Sequence, residues 1–411
     1  MLFKNVIGQA DVKAHLVNMV QQDRISHALL FLGKEGCGAL PLAIAFAQYI
    51  VCEKVNRKTA NAAAPAGPSL FGEEPAPSDS SHSPLTTHHL LDSCGECPSC
   101  QKMVQLMHPD IHFSYPVIPR KSGDKPLSSD YISEWREFIA KYPYGNSYDW
   151  LQFIGAENKQ GNITAYECNE IIRKLSLKSF ESGFKILVMW MPEYLGNEGN
   201  KLLKLIEEPP PDTLFILVAE NESLILQTIL SRTQLVKIPA LTHQDISAAL
   251  VEKAKMAQDP AMQIALIAEG NYREALQLMQ HADEDWQSLL REWLNAILKN
   301  GPIAQVKWVE EVSKLGREKQ KQFLRYFTHL LEQAIRLNAM GPANLHLPEK
   351  EKDFAARLNK IAAFLQQQAI IEELDKATYY IERNANPKML FHALTIKLYH
   401  IIANKQAPAV I

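Results

Sequence analysis

The stretch between residues 28 and 50 has the frame of a phosphate-binding P-loop, and this frame constrains the fold more than any other feature. The apolar run Ala28–Leu32 is typical of a buried strand. Gly33 and Gly38 follow at the spacing of the G-x-x-x-x-G-K-S/T motif. The next residues, Pro41–Ile50, have the apolar periodicity of a helix. This is the strand–loop–helix context that a P-loop requires.

The two residues that carry P-loop chemistry are replaced in this chain. Ala39 stands where a lysine would reach the β- and γ-phosphates, and Leu40 stands where a hydroxyl would hold Mg²⁺. Backbone N–H groups of Gly33, Gly36 and Gly38 could still surround an anion. The other interpretation is that the stretch is only a tight turn. Under both interpretations we do not expect ATP as a cofactor.

The strand that would carry the acidic pair of a P-loop ATPase also lacks it. The apolar run 184–190 is followed by Met191, Pro192 and Glu193, and Glu193 is the only carboxylate nearby. This loss is independent of the missing lysine. Together the two losses predict a chain that does not hydrolyse ATP.

Length, charge and hydrophobicity limit the class of protein. The 411 residues predict two or three domains, and 46% of them are hydrophobic, which is enough for ordinary packed cores. The formal net charge of -3 argues against nucleic-acid binding by bulk electrostatics, although a local basic face would be compatible with it. The first residues contain no signal-peptide core, and no apolar run approaches the length of a membrane span. We therefore expect a cytoplasmic protein without a membrane partner.

Three of the six cysteines lie close together, at Cys94, Cys97 and Cys100. Thiolates at this spacing can converge on one ion, and a structural Zn²⁺ takes four protein ligands in a tetrahedron. Cys52, at the end of the helix that follows the P-loop, is the fourth candidate. A redox pair, an iron–sulfur cluster and a chance grouping are the alternatives. We expect one structural Zn²⁺.

Two insertions interrupt the first half of the chain. Residues 56–90 separate Cys52 from the other three cysteines, and proline, alanine and serine dominate them without any period. We expect this insert to be disordered. The second, about 120–160, is polar with aromatic patches. We expect it to be ordered and assign it no role.

Apolar strands alternate with helices through the first 240 residues. Thr213–Ala219 is a further buried strand, and a short strand, Leu235–Ile238, follows Arg232. Such alternation predicts an α/β fold with a parallel sheet covered on both faces. Residues 286–411 instead carry apolar stripes at helical spacing, which predicts an all-α region.

Several short motifs, taken together, resemble the AAA+ clamp-loader family of bacterial DNA polymerase III. They are Phe3–Gln9, Arg24–Ala28, the four cysteines, His108–Asp110, Ile172–Leu175, Asn200–Pro210 and Ser231–Thr233. The altered P-loop fits the delta-prime branch of that family, since its motor subunits keep the lysine. The chain departs from the family pattern at Thr233, where the family has cysteine, and in its two long inserts.

The resemblance implies three domains. Residues 1–240 would form an AAA+ nucleotide-binding-like domain that contains the degenerate P-loop, the zinc module and the insert 56–90. Residues 241–285 would form a small helical lid. Residues 286–411 would form an all-α collar domain through which the subunits oligomerise.

The resemblance also implies roles for single residues. Cys52, Cys94, Cys97 and Cys100 would be the zinc ligands. Arg232 would be an arginine finger, offered in trans to a neighbouring subunit; an intramolecular salt bridge is the other interpretation. Arg273 stands at the position of a nucleotide-sensing arginine, and a structural role fits it equally well.

The implied function is that of a non-hydrolysing clamp-loader subunit of the DNA polymerase III holoenzyme, a DNA-directed DNA polymerase (nucleotidyltransferase). Such a subunit helps load the sliding clamp onto primed DNA during DNA replication. The implied partners are gamma/tau-type and delta-type subunits in a hetero-pentamer, the sliding clamp, and primer–template DNA through the complex.

Two other functions have to be weighed against this one. An ATP-hydrolysing motor subunit of the same loader is opposed by Ala39 and Leu40. A zinc-module nucleic-acid-binding protein is opposed by the net charge of -3. ATP binding and DNA affinity of the isolated chain discriminate between the three.

Overall fold

The computed structural model of the chain describes residues 1–55, 91–121, 123–156, 159–280, 286–340, 349–383 and 385–403. The insert 56–90, expected to be disordered, lies outside the described residues. The chain forms two compact units, Met1–Ala275 and Leu276–Ile411. The three-domain partition at residues 240 and 285 stays a prediction.

A five-stranded sheet forms the centre of the first unit, with all neighbouring strands parallel. Its strands are β1 (Ala28–Leu32), β2 (Ile111–Ser114), β3 (Lys185–Trp190), β4 (Thr213–Ala219) and β5 (Gln234–Lys237). Their order across the sheet is β2-β3-β4-β1-β5. The predicted α/β fold with a parallel sheet is therefore confirmed.

The first unit also contains helices. They are α1 (Ala10–Gln21), α2 (Ala39–Val51), α3 (Pro98–Val104), α4 (Ile132–Lys141), α5 (Ser147–Phe153), α6 (Ala165–Leu175), α7 (Leu203–Glu207), α8 (Gln227–Leu230), α9 (His243–Ala254), α10 (Gln258–Ile267) and the start of α11 (Tyr272–Gln280). Short 3-10 segments lie at Phe3–Asn5, Ser128–Tyr131, Pro192–Leu202 and Glu222–Leu224.

The two faces of the sheet pack into two separate cores. Successive side chains of a strand point to opposite faces. Leu29 and Phe31 of β1 accordingly lie in the core beside α2, whereas Ala28 and Leu30 lie in the core beside α6. Every residue of α2 is buried, so the helix that follows the P-loop is fixed on all sides.

Aromatic packing anchors the insertion at about 120–160. Trp135 of α4 stacks on Tyr115, with ring centroids 4.0 Å apart, and meets Trp150 of α5 edge-on at 5.3 Å. Trp135 also contacts Trp190, the last residue of β3. The aromatic patches of this polar segment therefore join the core beside α2, and the described part of the insertion is ordered as expected.

The second unit is helical over its described residues. Its elements are the end of α11, α12 (Trp286–Asn295), a π-helical turn (Ala296–Asn300), α13 (Gly301–Val312), α14 (Arg317–Met340), α15 (Glu349–Ile361), α16 (Phe364–Glu382) and α17 (Pro387–Ala403). Trp293 stacks on Trp308 at 4.5 Å in its core. Phe327 of α14 and Phe391 of α17 line the same core, as the apolar stripes predicted for residues 286–411 require.

Within the described ranges, no helix combines the length and the apolar character that crossing a membrane requires.

Candidate functional site

The P-loop glycines lie at the carboxyl end of β1, where the chain turns into α2. The N–H of Gly33 donates to the carbonyl of Ala219 at 3.1 Å, which fixes the loop to β4. Gly36 and Gly38 have φ angles of +72° and +91°, in the left-handed region that favours glycine. The structure thus brings the three predicted anion-binding glycines together in one loop.

Side chains from two distant segments occupy the space over these glycines. A Cβ atom on Gly38 would lie 2.9 Å from Cε1 of Tyr144, and one on Gly36 would lie 1.8 Å from Oδ1 of Asn271. The hydroxyl of Tyr144 accepts a hydrogen bond from the N–H of Ile7 at 2.8 Å. The glycines therefore make room for the protein's own side chains.

The cavity that remains at the loop is small. Its volume is about 20 Å³, which is room for about one water molecule. Ala39 and Leu40 are buried at the start of α2 and offer neither an amine nor a hydroxyl. The loop consequently presents no side-chain ligand for phosphate or magnesium at these two positions.

Carboxylates lie close to the same loop. The Oε1 atom of Glu193 accepts hydrogen bonds from the N–H groups of Glu220 (2.7 Å) and Asn221 (2.9 Å). Burial, followed by the charges of Glu35 and Glu193, raises the pKa of Glu220 to about 8. Glu220 therefore keeps its proton at neutral pH, because the region does not favour a further negative charge. The phosphates of a nucleotide would meet the same repulsion.

Arg273 lies within this constellation. Its Nη2 is 2.6 Å from Oδ1 of Asp149, and its Nη1 is 3.0 Å from Oε1 of Glu35, a residue of the P-loop itself. Only 5% of the arginine side chain is exposed. The structure places Arg273 in a buried ion-pair network, which is the structural role weighed from the sequence.

The four predicted cysteines converge at the far end of α2. Their sulfur atoms all lie within 4.8 Å of one another, and Cys52, Cys97 and Cys100 are buried. Tetrahedral Zn²⁺ with bonds of about 2.3 Å requires sulfur atoms about 3.8 Å apart. The Sγ atoms of Cys94 and Cys100 are 3.9 Å apart, and a hydrogen bond from the Cys100 thiol lowers the pKa of Cys52. The donor set fits a structural zinc ion.

Arg232 lies at another edge of the sheet. It lies two residues before β5, so it is found where the strands begin, whereas the P-loop lies where they end. Its guanidinium pairs with Glu207, and Nη1 donates to the carbonyl of Thr228 at 2.7 Å. The sequence favoured an arginine that projects to a neighbouring subunit. Within the chain, Arg232 makes an intramolecular salt bridge, and 33% of its side chain is exposed.

Comparison with known proteins identifies the family of this chain. A family model described as "DNA polymerase III, delta subunit" matches residues 8–70 and 66–242, which is more than half of the chain. The chain belongs to this family. The matched residues include the P-loop, the four cysteines and Arg232.

Three curated relatives illustrate the similarity. The chain is 25% identical over 245 residues to DNA polymerase III subunit delta' of Bacillus subtilis, covering 60% of this chain and 52% of that protein. It is 24% identical over 395 residues to subunit delta' of Escherichia coli, covering 94% and 93%. It is also 24% identical over 337 residues to subunit tau of Bacillus subtilis, covering 80% and 46%. The chain thus spans about half the length of the two Bacillus relatives.

The sequence did not predict several residues that lie at the P-loop of this family member. Glu35 occupies an unspecified position of the motif, and Tyr144, Asp149 and Asn271 come from distant segments. The aromatic patch around Tyr144 was visible, but nothing local indicated which glycine it would cover. Glu220, directly after β4, was a detectable signal, because the residues that follow parallel strands share one edge of the sheet.

Substituting Gly36 tests whether Asn271 really packs on the P-loop. We expect Gly36→Ala to lose about 1–2 kcal/mol of stability from its positive φ and roughly 1–3 kcal/mol more from overlap with Asn271. Gly155 is the matched control, since its φ is +73° and nothing lies within 4 Å of its Cβ position. Urea unfolding of both variants measures the difference. Equal losses would contradict the packing.

Proposed function

We propose that this chain is a non-hydrolysing subunit of the DNA polymerase III clamp loader, of the delta-prime type. It would assemble with gamma/tau-type and delta-type subunits and help load the sliding clamp onto primed DNA. It contributes to a DNA-directed DNA polymerase without turning over nucleotide itself. Membership of the delta-subunit family supports the first part of this proposal.

One observation carries the non-hydrolysing assignment: the P-loop has lost its side-chain ligands and packs against side chains of its own chain. Ala39 and Leu40 replace the phosphate and metal ligands, and Tyr144 and Asn271 lie against Gly38 and Gly36. The alternative of a motor subunit has support from the tau relative, whose identity of 24% equals that of one delta' relative. Identity therefore does not separate the two, and the contents of the loop favour the passive subunit.

Arg232 is the residue that would act on a neighbour. A guanidinium stays charged and can fork onto phosphate oxygens, which a lysine cannot do. The strand β1 is five residues long, so the side of the sheet where strands begin lies about 17 Å from the side where they end. Arg232 is thus remote from the P-loop of its own chain. The exposed part of its side chain would exchange Glu207 for the nucleotide of the adjoining subunit.

Replacing Arg232 in the assembled loader tests this role. We expect Arg232→Ala to assemble normally but to lower ATP hydrolysis at the one facing motor site by about 10³-fold or more, because an arginine in trans supplies that much. Arg232→Lys should also lower this hydrolysis, since lysine keeps the charge but cannot bind two phosphate oxygens at once. ATPase and clamp-loading assays on the reconstituted complex measure both.

Arg173→Ala is the control for that experiment, because Arg173 pairs with a glutamate on its own helix and is likewise exposed. It should leave hydrolysis unchanged. Full hydrolysis and loading with Arg232→Ala, in a complex of correct size, would rule out the trans role.

The second part of the proposal is a structural Zn²⁺ on Cys52, Cys94, Cys97 and Cys100. The ion would crosslink the end of α2 to the segment that follows the insert 56–90. Four protein ligands leave no open position for catalysis, so its contribution is to stability.

Metal analysis tests the zinc site. Chain purified under reducing conditions should contain one equivalent of zinc, and Cys97→Ser with Cys100→Ser should contain none and melt at a lower temperature. Acid should release the metal, because its thiolate ligands then take up protons. Cys168→Ser is the control, since this buried cysteine lies outside the cluster and should not affect the metal. Zinc retained by the double variant would refute the assignment.

A further inference from the structure

The carboxylate of Glu35 is the meeting point of three separate segments. Its Oε2 accepts a hydrogen bond from Nδ2 of Asn146 at 3.0 Å, across 111 residues of sequence. Its Oε1 accepts from Nδ2 of Asn271 at 3.2 Å and from Nη1 of Arg273 at 3.0 Å. A single P-loop side chain therefore binds both the insertion that carries Tyr144 and the start of α11.

Asp149 closes the network on its other side. It holds Arg273 through two guanidinium nitrogens, at 2.5 and 2.6 Å, in the bidentate geometry that gives the strongest arginine–carboxylate pairs. Asp149 is itself fixed in the first turn of α5, where its N–H donates to Oδ1 of Asn146 at 2.9 Å and its carboxylate accepts from the N–H of Asn146. We call Glu35, Asn146, Asp149, Asn271 and Arg273 the latch.

Backbone contacts align the latch with the P-loop. The N–H of Tyr272 donates to the carbonyl of Gly36 at 3.2 Å, so the start of α11 lies directly on the loop. The ring of Tyr272 meets that of Tyr144 edge-on at 5.0 Å. The two segments that contain the latch residues also contain Tyr144 and Asn271, whose side chains pack on the P-loop glycines.

The negative charges of the latch, on Glu35 and Asp149, are of the kind that the phosphates of a bound nucleotide would supply. In a P-loop protein the negative groups at the loop are phosphates, and they can be held by cationic side chains around them. Here the buried cation is Arg273, and its negative partners are two carboxylates of the chain. Removing them would take two negative partners away from a buried guanidinium, which is unfavourable.

We propose that Glu35 and Asp149 act as a built-in substitute for nucleotide phosphates, holding the insertion and the start of α11 on the P-loop at all times. This inference rests on the proposed function, because it explains how a subunit that binds no ATP keeps one conformation. The latch makes the local structure independent of nucleotide.

Hydrogen–deuterium exchange of the full chain tests the latch. The variant combines Glu35→Gln with Asp149→Asn, which keeps size and polarity but removes both charges. We expect the amides of residues 33–40 and 271–275 to exchange at least about tenfold faster than in the unmodified chain, while those of β4 stay unchanged. In the unmodified chain, the same amides should exchange equally with and without Mg·ATP.

The matched control combines Glu137→Gln with Glu170→Gln, which removes two carboxylates that pair with the exposed cations Lys141 and Arg173. It should leave the exchange of residues 33–40 unchanged. If the latch variant unfolds, seen as fast exchange throughout, Glu35→Gln alone provides the same comparison, since that side chain is 25% exposed.

The outcomes separate the latch from the proposed function. Unchanged exchange at the P-loop of the folded latch variant would overturn the latch and leave the non-hydrolysing assignment intact. Slower exchange of the unmodified P-loop in Mg·ATP would overturn both, because nucleotide would then order the loop.

Discussion

Gly36 and Gly38 have no side chains, and the space that they leave is used for contacts within the chain. The amide of Asn271 lies against the first and the ring of Tyr144 against the second. Two sets of contacts in the first unit fix these two side chains. The aromatic cluster of Trp135 and Trp150 orders the insertion that carries Tyr144, and the pairing of Arg273 with Asp149 and Glu35 holds the segment that carries Asn271. In this chain the P-loop packs against side chains of the protein, whereas in nucleotide-binding proteins it contacts phosphate.

The cysteine cluster and Arg232 both lie away from the P-loop. The cysteine cluster lies at the opposite end of α2, about 20 Å from the P-loop for a helix of 13 residues. Arg232 lies at the edge of the sheet where the strands begin. A fully buried helix and a parallel sheet connect all three, so each can work against a rigid support. This arrangement is compatible with the proposed non-hydrolysing subunit.

The sequence predicted those features that depend on local pattern. The strands β1 and β4 have the predicted bounds, because their apolar runs are continuous and the turns that flank them are clear. The motif at Asn200–Pro210 is only partly α-helical: the backbone is 3-10 up to Leu202, and the α-helix covers Leu203–Glu207 before three prolines end it. The convergence of four cysteines followed from spacing and valence, and the structure brings them together.

What the sequence did not predict depends on long-range contacts. Tyr144 and Asp149 lie in an insertion with no motif, and their position at the P-loop is set by the tertiary packing of aromatic rings. Glu35 is unspecified in the motif, so its partners could not be foreseen. The pairing of Arg232 with Glu207 likewise joins two segments 25 residues apart that no periodicity relates.

Calorimetric titration of Mg·ATP into the purified chain tests the central claim most directly, because that claim is that a P-loop packed against Tyr144 and Asn271, and without lysine and hydroxyl ligands, does not bind a triphosphate. The account predicts no saturable heat up to about 1 mM nucleotide, which corresponds to a binding free energy weaker than about 4 kcal/mol. Saturable binding with a micromolar dissociation constant, abolished by a bulky substitution at Gly38, would contradict it.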